Sequence, residues 1–121
     1  MTYDHDNIFA KILRGEIPCD KFYESDYSLA FYDISPQAAI HILVIPKGAY
    51  SSFADFSARA EAEEVVGYLR DLGEVARRAG LEENGYRLIS NHGADANQEV
   101  PHFHTHICGG ENMGRMLPKK Q

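Results

Sequence analysis

At 121 residues, 44% of them hydrophobic, the chain is long enough to bury a core of its own, and we expect a single domain over residues 1–121. Its formal net charge of -6 offers no basic surface to a nucleic-acid backbone, and two cysteines are too few for a disulfide framework. No apolar run approaches the length of a membrane span, and the polar, acidic start differs from a secretory signal. We therefore expect a cytoplasmic protein without a nucleic-acid or membrane partner.

The N-terminal region predicts a short amphipathic helix within "DNIFAKILRGEIP" (residues 6–18). Its apolar side chains recur three and four positions apart, which is the spacing of one helix face. Asp6 is the candidate N-cap, and Gly15 followed by Pro18 supplies the stop signals. We therefore expect a short helix that these residues end.

Three strands are predicted next. Two aromatic-rich runs, at residues 21–25 and 28–34, indicate a β-hairpin. The run "AIHILVIPK" (residues 39–47) is continuously apolar and is closed by Pro46. Such a strand is typically covered on both faces, so we expect it at the centre of the sheet, with His41 inside it.

The second half of the chain predicts one long helix and two more strands. Apolar residues keep helical spacing from about residue 57 to residue 79, with charged residues opposite, and Gly80 is a natural C-cap. Residues 86–90 and 100–108 are typical of strands, and the polar residues 91–99 between them are typical of a loop. Because strands and helices are segregated, we expect an α+β fold.

The last predicted strand carries three histidines at every second position, in "VPHFHTHICGG" (residues 100–110). Successive side chains of a strand point to opposite faces, so one face would carry His102, His104, His106 and Cys108. A single buried histidine is most often structural. Three in register need several hydrogen-bond partners at once, which argues against a purely structural role.

A zinc site is one alternative, because imidazole and thiolate are zinc ligands. On a straight strand, however, the Cα atoms of His102 and His106 would be about 13 Å apart, whereas zinc–nitrogen bonds are about 2.0 Å long. Any further imidazole ligand would have to come from His5, His41 or His92, which lie elsewhere in the sequence. We therefore expect neither a metal nor another cofactor.

The other alternative is nucleophilic catalysis at phosphorus. Neutral imidazole is a nucleophile near pH 7, and neighbouring imidazoles can hold its tautomer or pass a proton to a leaving group. The preceding loop contains Gly93, several small residues and backbone N–H groups that could cradle phosphate oxygens. Loops of this composition are usually simple turns, so the loop alone is a weak indication.

The segment "HFHTHIC" matches the His-x-His-x-His-x-x signature of the histidine triad (HIT) superfamily. The segments "NIFAKILRGEIP", "LAFYDISPQAAIHILVIPK" and "ISNHGADANQEVPHFHTHICGG" also resemble the corresponding segments of its Hint branch. The resemblance covers residues 7–110. It implies a single domain with an antiparallel sheet of about five strands and two helices, and a homodimer whose two sheets join.

The resemblance also implies a purine nucleoside phosphoramidase, which hydrolyses the P–N bond of AMP- or GMP-type phosphoramidates through a nucleotidyl-histidine. His104 would be the nucleophile and His106 would contact the phosphate and assist the leaving group. His102 would orient the nucleophile from behind, and His41 would complete the histidine network.

The resemblance further implies a nucleotide site made of a ribose-binding acid, a phosphate loop and apolar walls around the base. The acid is Asp33, with Ile34 beside it, and Asn91 lies near the scissile phosphate. The remaining positions are Asn97, Gln98, Glu99 and Val100 in the phosphate loop, and Ile8, Phe9, Ile12 and Phe31 in the walls.

Departures from the family pattern refine these expectations. The transferase branch has glutamine in place of the third triad histidine, so His106 favours hydrolysis. The structural zinc of some relatives uses a CxxC that is replaced here by Asn7 and Ala10. Glu99 stands where many relatives have serine, so phosphate binding should be weaker or altered, and the ending "GRMLPKKQ" puts the leaving-group preference in doubt. A dinucleoside polyphosphate hydrolase and a nucleotide-binding regulatory protein remain alternatives.

Overall fold

The computed structural model describes residues 2–118 and contains a five-stranded antiparallel sheet in the order β1-β2-β3-β5-β4. The strands are β1 (Lys21–Glu24), β2 (Ser28–Tyr32), β3 (Ile40–Pro46), β4 (Tyr86–Ile89) and β5 (Thr105–Gly109). The helices are α1 (Ile8–Leu13), α2 (Phe53–Arg59) and α3 (Ala62–Arg78). The predicted α+β class and the sheet of five antiparallel strands are therefore confirmed. Residues 119–121, the end of the C-terminal segment singled out above, lie outside the described residues.

The β-hairpin and the central strand form as predicted. β1 pairs with β2, and the hydroxyl oxygen of Ser25 accepts the backbone N–H groups of Tyr27 and Ser28 in the turn. β3 lies between β2 and β5, and all its residues after Ile40 are buried. A continuously apolar sequence fits this position because neither face of β3 meets water.

The sheet has two differently covered faces. On one, Ile42, Val44 and Ile107 pack with Tyr68 of α3, whose hydroxyl group donates to Val44 O at 2.7 Å. On the other, Phe9 of α1 packs with residues that include Leu29, Phe31, Leu43 and Ile45. Directly opposed residues of paired strands point to the same face, so the register places His41 and His106 on the face that α1 covers.

The long helix predicted over residues 57–79 is wrong in one respect, because two helices occupy this region. The hydroxyl oxygen of Ser52 caps α2 by accepting the Asp55 N–H, and Ala60 is extended. Glu61 and Glu64 then form a capping box that begins α3. Residues 2–118 thus hold three α-helices, besides one 3₁₀ turn at Ala94–Ala96, and not the two helices that the resemblance implied. None of these helices has the length and apolar character needed to cross a membrane.

Two helix ends show what the sequence did and did not specify. Asn7, not Asp6, caps α1, because its side-chain oxygen accepts the Ala10 N–H at 2.9 Å. Gly80 follows α3 with φ +75°, and its N–H donates to Arg77 O as in a Schellman motif. The expected role of Gly80 is confirmed, and the N-cap is corrected by one position.

The strand predicted over residues 100–108 is shorter than expected at its start. The ladder of β5 begins at Thr105, because Pro101 has no N–H to donate and the His102 N–H bonds locally to Val100 O at 2.8 Å. His106 is therefore the triad member that lies within the strand. His102 and His104 lie in the irregular segment leading into it.

Candidate active site

Three histidines meet on the face of the sheet beside α1. His41 of β3 and His106 of β5 are joined by a contact of 2.9 Å between Nε2 and Nδ1, and the ring centroids of His104 and His106 are 5.1 Å apart. The alternation that was predicted for a longer strand is preserved, since Phe103 and Ile107 pack on the opposite face. The structure therefore brings together His41, His104 and His106 as expected.

Hydrogen-bond partners assign the protons of the His41–His106 pair. The backbone N–H of Gln37 donates to His41 Nδ1 at 3.0 Å, so the ring proton of neutral His41 is on Nε2. That proton is donated to His106 Nδ1. Neutral His106 consequently carries its own proton on Nε2, which is free to donate to a bound group.

His104 is oriented by a backbone atom. Its Nδ1 lies 2.7 Å from the carbonyl oxygen of His102, which can only accept, so Nδ1 carries the proton and Nε2 keeps its lone pair. Burial lowers the pKa of His104 below its ordinary value, although the carbonyl contact and the charges of Asp33 and Glu99 oppose that shift. A neutral ring with a free Nε2 is the nucleophilic form.

The ring of His102 makes its hydrogen bonds with residues other than His104. It is fully buried, with Nε2 2.9 Å from Pro46 O and Nδ1 2.5 Å from the Tyr3 hydroxyl oxygen. Burial lowers the pKa of His102 to about 4. The resemblance assigned the orienting role to His102 without distinguishing its atoms, and the contact to His104 is made by the backbone carbonyl.

The pKa of His106 is also lowered to about 4. Burial is the main cause, and repulsion from the neighbouring His104 and His41 adds to it. Near neutral pH His106 is therefore an uncharged ring whose Nε2–H can donate a hydrogen bond to a bound group. A fixed donor in this position can stabilise a phosphate or a leaving group during a reaction.

Asp33 lies beside this pair. Its Oδ2 is 3.5 Å from His41 Nε2, and its Oδ1 accepts the Ser35 N–H at 2.7 Å. The next residue, Ile34, is 96% exposed and could contact a ligand only from the solvent side. Asp33 is thus placed where its carboxylate can accept hydrogen bonds from the hydroxyl groups of a ligand near the histidines.

Within residues 2–118, one group of three side chains could hold a metal ion. It consists of Asp33, His41 and His106, whose possible ligand atoms all lie within 4.8 Å of one another. The two facing imidazole nitrogens already share a proton, and zinc would have to replace it to approach each nitrogen at about 2.0 Å. A bound metal ion and the hydrogen bond between His41 and His106 are therefore mutually exclusive at this position.

The loop before the triad is braced by Gln98. Its side-chain oxygen accepts the Gly93 N–H at 3.1 Å, and its amide group donates to Ser51 O at 2.7 Å and to Val100 O at 3.0 Å. The side chain is thus occupied in holding the loop. The backbone N–H groups of Glu99 and Val100 make no hydrogen bond with residues 2–118, so both are available as donors to a ligand.

The other polar residues of the expected site have different surroundings. The Ser90 hydroxyl donates to His104 O at 3.1 Å, which places the following Asn91 beside the segment that contains His104. Asn91 is half-buried and makes no side-chain hydrogen bond within the described chain. Asn97 is exposed and adopts φ 54°, and exposed Glu99 lies close enough to His104 to affect its pKa.

The expected apolar walls are partly core. Phe9 and Phe31 are buried with their rings edge-on, 5.6 Å between centroids, and Phe9 also contacts the His104 ring edge-on at 5.0 Å. Ile12 and Val100 pack against this cluster, whereas Ile8 is 44% exposed. A surface cavity of about 520 Å³ opens beyond Ile12, and its lining includes none of the histidines.

Three further residues reach the site in ways that the sequence pattern did not indicate. Tyr3 is 99 positions from His102 in the sequence. The spacing of residues in the polar N-terminal segment gives no sign of so distant a contact. Gln37 and Pro46 act through backbone atoms, which carry no residue-specific signal. For Gln37, the sequence signal was its position in the short segment between the strands predicted at residues 28–34 and 39–47.

Comparisons with known proteins identify the family of the chain. The HIT domain family model matches residues 14–113. An uncharacterised HIT-like protein of Azospirillum brasilense is 60% identical, over 98% of this chain and 97% of its own. The purine nucleoside phosphoramidase of Escherichia coli is 44% identical, over 95% and 96%.

Solved structures give the same result. A HIT family hydrolase from Clostridium thermocellum superposes with a TM-score of 0.86 at 35% identity, covering 94% of this chain and 99% of its own. A histidine triad protein from Clostridium difficile gives 0.80 at 39% identity, covering 99% and 100%. With its five-stranded sheet and its histidine set, the chain belongs to the HIT domain family.

Proposed function

We propose that this protein is a hydrolase that cleaves the P–N bond of purine nucleoside phosphoramidates. The observation that carries the proposal is the state of His104, whose Nδ1–H is held by the His102 carbonyl while Nε2 is left free. The 44% identical phosphoramidase of Escherichia coli and the Clostridium thermocellum hydrolase support the same conclusion.

The reaction would take two steps. His104 Nε2 forms a bond to phosphorus as the P–N bond breaks, and the leaving amine takes a proton from solvent and accepts a hydrogen bond from the Nε2–H of His106. Water then gives its hydroxyl group to phosphorus and a proton to solvent as the bond to His104 breaks, which restores the neutral His104 ring. The contact from His41 Nε2–H to His106 Nδ1 keeps the His106 proton on the reactive side in both steps.

The substrate would lie across the face of the sheet that α1 covers. The backbone N–H groups of Glu99 and Val100 would donate to phosphate oxygens, and their fixed positions would stabilise charge in the transition state. The Asp33 carboxylate would accept hydrogen bonds from the ribose hydroxyl groups. The base would pack near Phe9 and Phe31, with Ile8 and Ile34 exposed at the edge of the site.

We also propose that the protein acts in the cytoplasm as a homodimer. β4 is an edge strand of the sheet, and its Tyr86 and Leu88 side chains are 38% and 49% exposed. A second copy pairing there would satisfy the open backbone groups of that edge. Sedimentation of the wild type and of Leu88→Asp tests this, since the dimer should dissociate in the variant; a monomeric wild type would contradict it.

The enzymatic proposal is tested by hydrolysis of adenosine 5′-phosphoramidate by the wild type and by His104→Ala, each with and without a chelator. We expect turnover that resists chelation and falls by several orders of magnitude in the variant. Faster turnover of diadenosine polyphosphate would favour a polyphosphate hydrolase. Absence of wild-type turnover, with AMP binding intact, would overturn the enzymatic proposal, and loss on chelation alone would implicate a metal.

A further inference from the structure

Tyr3, in the N-terminal segment before α1, contacts the surroundings of the nucleophile. Its hydroxyl oxygen lies 2.5 Å from His102 Nδ1 and 2.9 Å from Asn7 Nδ2. The Tyr3 and His102 rings also pack edge-on, with centroids 5.7 Å apart. Tyr3 precedes the residues that the HIT domain model matches, so family membership assigns it no role.

The direction of each hydrogen bond follows from the partners. His102 Nε2 faces the carbonyl oxygen of Pro46, which can only accept, so the ring proton is on Nε2. His102 Nδ1 is then an acceptor, and the Tyr3 hydroxyl donates to it while accepting from the Asn7 amide group. Because His102 is fully buried, losing this donor would leave a lone pair without a partner inside the protein.

Two connections lead from Tyr3 to His104. The first runs through His102, whose ring is held at both nitrogens and whose carbonyl oxygen accepts the His104 Nδ1–H. The second runs through Asn7, which caps α1, the helix that places the Phe9 ring against His104. The Tyr3 hydroxyl joins both supports of the nucleophile at one atom.

We propose that Tyr3 is a positioning residue whose hydroxyl group fixes the His102 backbone and, through it, the orientation of His104. The kinetic consequence rests on the proposed function, whereas the positional consequence does not. Small displacements of a nucleophile weaken the chemical step more than they weaken binding. The fold-change should therefore be seen in kcat and not in KM.

The test compares Tyr3→Phe with Tyr50→Phe. Both changes remove one hydroxyl group, but the Tyr50 hydroxyl donates to Glu64 Oε1, away from the histidines. We expect kcat for adenosine 5′-phosphoramidate to fall about tenfold in Tyr3→Phe with KM changed less than about twofold. Tyr50→Phe should keep the wild-type kcat. Equal kcat values in the two variants would overturn the proposal.

Nitrogen NMR of the histidine rings supplies a readout that needs no turnover. In Tyr3→Phe the His102 Nδ1 resonance should move toward that of an unbonded ring nitrogen, and the His104 resonances should shift with it. If the wild type proved inactive while these shifts occurred, the proposed function would fail and the positioning role would stand. Unchanged His104 resonances in Tyr3→Phe would overturn the positioning role whether or not the protein is active.

Discussion

His104 Nδ1 lies 2.7 Å from the carbonyl oxygen of His102, and this contact leaves His104 Nε2 as the free nitrogen. The atom that sets the tautomer thus belongs to the backbone of a neighbouring triad histidine. The ring of that neighbour makes its own hydrogen bonds with Tyr3 and Pro46. The proposed chemistry therefore depends on how the chain enters β5, and not only on which side chains it carries.

The His41 ring should support the departure of the amine by orienting His106, without being the nucleophile. His41→Ala removes the donor to His106 Nδ1, so we expect kcat to fall about 100-fold, which is less than the loss in His104→Ala. The loss should be larger for substrates with more basic leaving amines. Gln37→Ala is the matched control, because it retains the backbone N–H that holds His41. Turnover abolished in His41→Ala but retained in His104→Ala would reverse the assignments.

Glu99 should weaken the binding of an anionic substrate. Its exposed carboxylate lies near enough to His104 to affect the pKa of that ring, so Glu99→Gln removes a repulsive charge. We expect kcat/KM to rise about threefold at low ionic strength, with the gain shrinking as salt screens the charge. Glu63→Gln, on the exposed face of α3, makes the same change of charge and should leave kcat/KM unchanged. A gain that does not depend on salt would contradict this explanation.

Gln98 should act on substrate binding through the loop that it braces. Gln98→Ala removes three hydrogen bonds that link residues 93, 51 and 100, which leaves the Glu99 and Val100 N–H groups less well fixed. We expect KM to rise and the free energy of unfolding to fall by about 1–3 kcal/mol. Steady-state kinetics with urea unfolding of the same samples measures both. An unchanged KM would show that the loop donors do not need this brace.

Acid should destabilise the fold through its buried neutral histidines. The pKa of His102 is about 4 in the folded protein and near 6.5 when unfolded, so the unfolded state binds more protons between these values. This contribution is complete above pH 6.5 and is lost as the pH falls toward 4, by about 3 kcal/mol for His102 alone.

Urea unfolding at pH 7.5 and 4.5 measures this loss. His102→Asn should show a smaller difference between the two pH values than the wild type. His92→Asn, which replaces an exposed imidazole, should retain the full difference. The assignment to His102 would be wrong if His102→Asn kept the wild-type pH dependence.

Local sequence patterns correctly predicted the elements in which the residue types match the burial or the backbone conformation of their positions. The continuous apolar run of β3 predicted a buried central strand, and Gly80 marked the end of α3. The interruption at Ala60 was missed because no glycine or proline marks it, and the break depends on the side-chain caps from Ser52 and Glu61.

The site was predictable where it depends on side-chain type and not where it depends on backbone atoms or distant contacts. Alternation along the chain correctly grouped His104 with His106, although the strand begins only at Thr105. The orienting carbonyl of His102 and the hydrogen bond from Tyr3 could not be inferred, because no residue pattern encodes them.

The central claim, that His104 Nε2 becomes bonded to phosphorus, is tested most directly by trapping the intermediate. The wild type would be mixed with adenosine 5′-phosphoramidate, quenched within the first turnover and analysed by intact-mass and peptide mass spectrometry. We expect a transient adduct of one adenylate group on the peptide that contains His104, and no adduct in His104→Ala. Turnover without any such adduct, or an adduct that persists in His104→Ala, would contradict it.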